Sequence, residues 1–221
     1  VSPVLEAQSL YRFFHAGDDE TLALQGVSLT LEPGELVAVT GPSGSGKSTL
    51  LACLAGLDEP DGGSVSVAGT RISRRSEGQR ARIRGASIGI VFQQTNLVGH
   101  LSLADNIRLA QHVGDGRSDA EWRAQVLERC GIEHRASARP SQLSGGELAR
   151  AGLAVALAND PPVILADEPT GELDSITAAR VLDLLRERAA AGAAVLIVTH
   201  SAEVAAATDR EIRLLDGRVE P

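Results

Sequence analysis

The stretch GPSGSGKSTL, residues 41–50, constrains the fold more than any other. It follows a short β-branched run, ELVAVT (35–40), and leads into KSTLLACLAGL (47–57), whose apolar residues have helical spacing and which stops near Gly56. Strand, glycine loop and helix in that order predict a phosphate-binding loop. Glycines let the backbone curl so that successive N–H groups point inward, and the helix N-terminus adds partial positive charge. Lys47 is the one lysine among 21 basic residues. A flexible ammonium reaches the β- and γ-phosphates of a nucleotide where the wide arginine fork fits poorly. The loop thus nominates Gly41, Ser43, Gly44, Ser45, Gly46, Lys47, Ser48 and Thr49 for nucleotide phosphates, with the Ser48 hydroxyl as a ligand for Mg²⁺.

A second motif supplies acids. VILADEP (163–169) reads as a buried strand ending in Asp167 and Glu168. Asp167 is placed to hold Mg²⁺, and Glu168 to act as general base on an attacking water. Such a base contributes about 10²–10⁴-fold to a rate. Acids at a strand end also occur as plain solvated termini; the phosphate loop gives this pair its meaning.

The rest of the chain reads as α/β. LEAQSLYRFF and TLALQGVSLTL predict an antiparallel pair, GSVSVAG an edge strand and SIGIVFQ another strand. From about Leu103 to Ala158 the patterns are helical, separated by Gly, Ser and Pro clusters. Strands return at VILAD (163–167) and AVLIVTH (194–200), flanking a helix for which Ser175 is the expected N-cap and Gly192 the stop. REIRLLDGRVE predicts a hairpin turning at Asp216-Gly217. Strands alternating with helices imply parallel βαβ units, and the helical block in mid-chain implies a second lobe.

Composition narrows the function classes. A chain of 221 residues with a net charge of −8 can bury a full core and is ill suited to a broad grip on nucleic acid. The arginine-dense stretch at 71–84 reads as a solvated helix face or a local basic patch. Cys53 and Cys130 fit no metal-ligand spacing and read as unpaired thiols in a reduced, cytoplasmic compartment. No apolar run approaches the roughly 20 residues of a membrane span, and no signal peptide is read, so the chain is expected to cross no membrane by itself. It holds no methionine. Val1 is either a start codon read literally or a trimmed end.

The deciding residues are LSGGE, Leu143 to Glu147, between the two motifs. With them the chain resembles the nucleotide-binding subunit of ATP-binding-cassette (ABC) transporters over essentially its whole length. The resemblance implies a P-loop NTPase (RecA-like) core with an antiparallel β subdomain and an inserted α-helical subdomain at about 94–160, all within one domain, 1–221. It implies that Phe14 stacks on adenine, with Tyr11 and Phe13 as rivals, and that Gln93 senses Mg²⁺ and contacts the transporter. Asp174, in GELDS (171–175), would cross a dimer interface, and His200 would contact the γ-phosphate. Ser144, Gly145 and Gly146 would close over ATP held by Lys47 of a second subunit, in a head-to-tail sandwich of two ATP molecules.

Further implications follow from the same likeness. The chain would power a separate transmembrane permease from the cytoplasmic face of the membrane, contacting it through 71–84 and the lobe around 95–107, with no nucleic acid involved. ADEPTGELDS and the compact length most resemble the group handling lipoprotein release, macrolide-type export and cell-division signalling. Two residues depart from the family: Glu147 stands where glutamine is commoner, which implies a tuned rate, and Val155 where arginine is usual, which alters charge near the signature helix.

Three other readings share parts of this pattern. A cassette ATPase acting on DNA or ribosomes is disfavoured by the acidic charge, the single cassette, the two cysteines and the lack of sustained heptads. A small-molecule kinase shares the phosphate loop but has no reason to carry LSGGE or His200. A regulatory ATPase signalling across the membrane shares every residue named, and only a transport assay separates it.

Overall fold

The computed structural model describes residues 2–16, 19–93, 97–114, 119–171 and 173–220, without the side chains of 15, 16, 19 and 20. Val1, Thr95 and Glu172, all within stretches singled out above, lie outside the described residues.

Two sheets carry the chain. The first is antiparallel and four-stranded, in the order β2-β1-β4-β5. It comprises β1 (Leu5–Ala16), β2 (Asp19–Leu31), β4 (Gly62–Val67) and β5 (Thr70–Arg71). The second has the order β10-β9-β3-β8-β7-β6, with β3 (Leu36–Thr40) and β8 (Ala194–Val198) at its centre. β6 (Ile88–Val91), β7 (Val163–Asp167) and β9 (Arg210–Leu215) run parallel to them, and only β10 (Arg218–Val219) turns back. β8 is buried along its whole length, as its uninterrupted apolar run requires of a strand covered on both faces. This is the expected α/β P-loop architecture with an antiparallel β part.

The described residues also hold seven α-helices: α1 (Lys47–Leu54), α2 (Glu77–Ser87), α3 (Leu103–Val113), α4 (Ala120–Arg129), α5 (Gly145–Ala156), α6 (Ser175–Ala190) and α7 (Ala202–Ala206). One apolar cluster joins α1 to both sheets through Leu50, Leu54, Leu24, Val65 and Leu196. The other face of the parallel sheet packs on α3–α6, so Ile107, Val126 and Leu153 share one core with Ile164, Val195 and Leu185. The mid-chain helices therefore have no separate core; they grow out of the sheet's second face. Gln111, fully buried, knits them together by donating to the Asp119 and Ala158 carbonyls and accepting from Arg123.

Several local expectations change. β4 is not an edge strand, because the two-residue β5 covers it. The cap of α6 is Asp174, not Ser175: its carboxylate accepts from the Ile176 and Thr177 amides at 3.1 and 3.0 Å and from the Thr177 hydroxyl at 2.7 Å. α2 buries no residue, and within it Arg80 and Arg84 pair with Glu77, so the arginine-dense stretch is in part a self-neutralised surface helix. The turn at Asp216-Gly217 is present, both residues having positive φ.

Candidate functional site

At the carboxyl ends of the parallel strands, a cleft of about 670 Å³ opens between the sheets. The β3–α1 loop forms its floor. Gly41 has φ +145°, and a Cβ there would sit 2.0 Å from the Leu214 carbonyl oxygen; at Gly46, φ +99°, it would meet Ala23 O at 2.4 Å. The neighbouring strands leave room only for glycine. α1 then starts with no capping side chain and no acid in its first turn. α3 to α7 are each capped by a Ser or Asp side chain. The leading amides of α1 are thus left for an anion.

Gly41, Ser43, Gly44, Gly46, Lys47, Ser48 and Thr49 all line the cleft. The Lys47 ammonium donates to the Gly41 and Pro42 carbonyls, each at 2.8 Å, which folds it back along the loop and holds its charge in the floor. Ser45 does not line the cleft: it is 2 % exposed, and its amide donates to Pro42 O within the loop.

Three strand ends bring the remaining groups. Gln93 follows β6, Asp167 ends β7 with Glu168 next after it, and His200 follows β8; all four line the same cleft. Burial pushes the Asp167 carboxyl up, and the adjacent Glu168 charge adds to this; a hydrogen bond with Ser48 and the charge of Lys47 oppose it. Glu168 has φ 48°, a left-handed conformation that costs a non-glycine residue about 1–2 kcal/mol. Its amide donates to Val198 O at 2.9 Å, and its carboxylate is engaged by Thr199 and His200.

Of the three aromatic candidates, Phe14 lines the cleft and is 43 % exposed. Tyr11 packs elsewhere, over Gly26 and Gly62. The Phe13 amide is tied to Asp61.

Ser144, Gly145 and Gly146 stand apart from this cleft, at the start of α5. Ser144 and Glu147 form a reciprocal cap: Ser144 N–H donates to Oε2 at 2.8 Å, and Glu147 N–H to Oγ at 3.3 Å. These bonds pull the Glu147 carboxyl below its usual range. The same carboxylate pairs with Arg135 at 3.1 Å, so the departure from glutamine has work within the chain. Asp174 is likewise outside the cleft.

Sequence reasoning missed the far rim. Thr21, Leu22, Gln25, Asp216 and Gly217 also line the cleft. Gln25 donates to Asp216 O at 2.8 Å, joining the antiparallel sheet to the last hairpin. No local pattern signals that pairing, which spans almost the whole chain.

A phosphate loop facing strand-end acids in a parallel sheet defines a P-loop nucleotide-binding cassette. The family model described as "ABC transporter" matches residues 24–171. The chain is 42% identical over 219 residues to the lipoprotein-releasing system ATP-binding protein LolD of Alcanivorax borkumensis, across 98% of this chain and 96% of that protein. It is 44% identical over 219 residues to the macrolide export ATP-binding/permease protein MacB of Burkholderia pseudomallei, where it covers 34% of the relative. The chain thus spans about a third of the length of the macrolide-export relatives it matches. Among solved structures, the dimeric ATP-binding cassette MJ0796 bound to ADP and Pi superimposes with a TM-score of 0.91 at 37% identity, covering 98% of this chain and 97% of that one. This chain belongs to the ABC transporter family, as its ATP-binding cassette.

Proposed function

We propose that this cassette binds ATP with Mg²⁺, hydrolyses it within a head-to-tail dimer, and powers a separate membrane-spanning partner from the cytoplasmic face. Among the described residues no helix is long and apolar enough to cross a membrane. The observation that carries the reading is a division of labour: Lys47, Asp167, Glu168 and His200 meet in one cleft, and Ser144–Gly146 lie outside it. A second copy turned head to tail can bring its signature residues over the first copy's nucleotide, and Asp174 then lies at the shared boundary. The proposed cargo class is lipoprotein, lipid or exported small molecule, in keeping with what LolD and MacB are named for.

Phe14 stacks on the base, and the loop amides with Lys47 hold the phosphates. Ser48, Asp167 and Gln93 offer hydroxyl, carboxylate and amide oxygens in one cleft, a hard-donor set suited to Mg²⁺. The raised Asp167 carboxyl beside Glu168 is an acidic pair that a divalent cation would neutralise. Bound there, Mg²⁺ supplies charge neutralisation for the β- and γ-phosphate oxygens. Glu168 takes the proton of the attacking water as its oxygen bonds to the γ-phosphorus. The bond to the β,γ-bridging oxygen breaks, and ADP and phosphate leave. His200 orients Glu168 through Nδ1 and meets the γ-phosphate through its other nitrogen.

The test is solution mass by light scattering for Glu168→Gln, with and without ATP and Mg²⁺. A monomer that becomes a dimer on ATP supports the sandwich. Absence of bound ATP refutes the reading.

A further inference from the structure

The guanidinium of Arg12 stands over the Phe14 ring, 4.8 Å from its centroid. The same guanidinium is held by two carboxylates. Nε donates to Asp58 Oδ2 at 2.8 Å and Nη2 to Asp58 Oδ1 at 2.9 Å, a two-point fork, while Nη1 reaches Asp61 Oδ2 at 3.0 Å. Asp61 Oδ2 also accepts the Phe13 amide at 2.8 Å, so the backbone next to Phe14 is held by the same carboxylate. Asp58 and Asp61 sit on the loop between α1 and β4.

We infer that Arg12 is a positioning residue for nucleotide: clamped by Asp58 and Asp61, it fixes the Phe14 ring as a stacking platform for the base. The inference rests on the proposed role of Phe14 in base stacking.

The physical reason is entropic. A ring that is 43 % exposed samples several rotamers, and a ligand that stacks on it must order it first. A guanidinium whose donors are committed to two carboxylates cannot rotate away. It therefore presents a fixed cationic face within the range of a cation–π contact. One ring face is taken by Arg12, which leaves the other for a base in the cleft. The clamp springs from the loop that leaves α1, and α1 begins at the phosphate site. One rigid helix thus references both the triphosphate end and the base end of the nucleotide.

The experiment compares binding of ATP and of inorganic tripolyphosphate, both with Mg²⁺, by isothermal titration. The proteins are wild type, Arg12→Gln, Asp58→Asn, Phe14→Ala and the Arg12→Gln/Phe14→Ala pair. Losing an exposed cation–π contact should weaken ATP about 2- to 5-fold. Tripolyphosphate, which has no base, should bind all variants equally, and Asp58→Asn, which keeps Arg12 but loosens its fork, should move ATP the same way. In the Phe14→Ala background, Arg12→Gln should add nothing. The ATPase of Arg12→Gln should show a raised KM with kcat unchanged.

An equal loss for both ligands would make Arg12 merely structural and overturn the inference. So would an undiminished Arg12 effect without Phe14, or no effect on ATP at all. If Phe14→Ala itself leaves ATP binding unchanged, the base-stacking role of Phe14 fails and this inference falls with it, while tripolyphosphate binding separately reports the phosphate loop.

Discussion

Nδ1 of His200 lies 2.7 Å from Oε1 of Glu168, and Glu168 Oε2 accepts from the Thr199 hydroxyl at 3.2 Å. The two partners directly follow β8, which pairs with the β7 strand that Glu168 directly follows. Three constraints therefore act on one acid: a left-handed backbone, a hydroxyl and an imidazole. With the carboxylate accepting, Nδ1 carries the proton, and Nε2 can donate to a phosphate oxygen only where it carries a proton as well. Glu168 is 13 % exposed at its side chain and His200 75 %, so the imidazole is the half of the pair that solvent or phosphate reaches first.

Glu168→Gln keeps the size of the side chain and removes the base. Phosphate release should fall by about 10²–10⁴-fold. ATP affinity should stay near that of the wild type, since Lys47 and the loop amides are untouched. Single-turnover hydrolysis beside equilibrium nucleotide binding checks both halves. A variant that still turns over within a few-fold of wild type would remove Glu168 from the chemistry.

Asp167→Asn should melt higher than the wild type in buffer without Mg²⁺ or nucleotide. Burial, with Glu168 adding to it, disfavours the ionised form, so the folded state holds this proton more tightly than the unfolded chain does. The resulting destabilisation is absent below the unfolded carboxyl range and complete above the raised folded value. Asparagine carries no charge at any pH. The gap in Tm should therefore be present at about pH 8 and close as pH falls through the Asp167 range, while Mg²⁺-dependent hydrolysis is lost throughout. Calorimetry across that pH range checks the sign.

Where the signal was local, the sequence sufficed. The phosphate loop is contiguous and its glycines answer to steric needs within one turn, so residues 41–50 could be read directly. The strand-end acids follow from an apolar run that stops at polar residues, whereas His200, also at a strand end, was singled out only by the family resemblance. Ser175 and Asp174 show the limit: both are good caps, and only the carboxylate's reach to two amides and a hydroxyl decides between them. The two-residue strand at Thr70–Arg71 is too short to show any alternation. Long-range relations were illegible. Arg12 and Asp58 are 46 residues apart and meet only because β1 pairs with β4, which follows the α1 exit loop. Gln25 meets Asp216 because β10, which follows the Asp216-Gly217 turn, packs against β2 of the other sheet.

The thiols give a clean check on the core. Cys53 and Cys130 are buried and unpaired, and burial pushes both up to about 12. At about pH 8 the reactive thiolate is then scarcer by about 10³-fold than for an exposed cysteine. A disulfide-exchange reagent should label neither residue in the folded protein on the scale of minutes. Both should react once denaturant is added. Rapid labelling of Cys130 without denaturant would mean that the helices packed on α6 open far more readily than their shared core implies.

Gly145 separates the needs of this chain from those of a partner. A Cβ at Gly145 would meet nothing within 4 Å, whereas at Gly146 it would come 3.2 Å from Thr177 Cγ2. Gly145 is the first residue of α5, and its φ is not positive. Nothing within the described chain therefore requires glycine there, and Gly145→Ala should leave Tm unchanged or raise stability by up to about 1 kcal/mol. In the proposed sandwich the same methyl group would intrude between the signature amides and the nucleotide held by the other copy. Overpacking of that kind costs about 1–3 kcal/mol. ATP-driven dimerisation, read by light scattering in the Glu168→Gln background, should weaken accordingly while each monomer still binds ATP. If the dimer forms as before, the α5 N-terminus does not close over the nucleotide, and the reason for glycine at 145 has to be sought on some other surface.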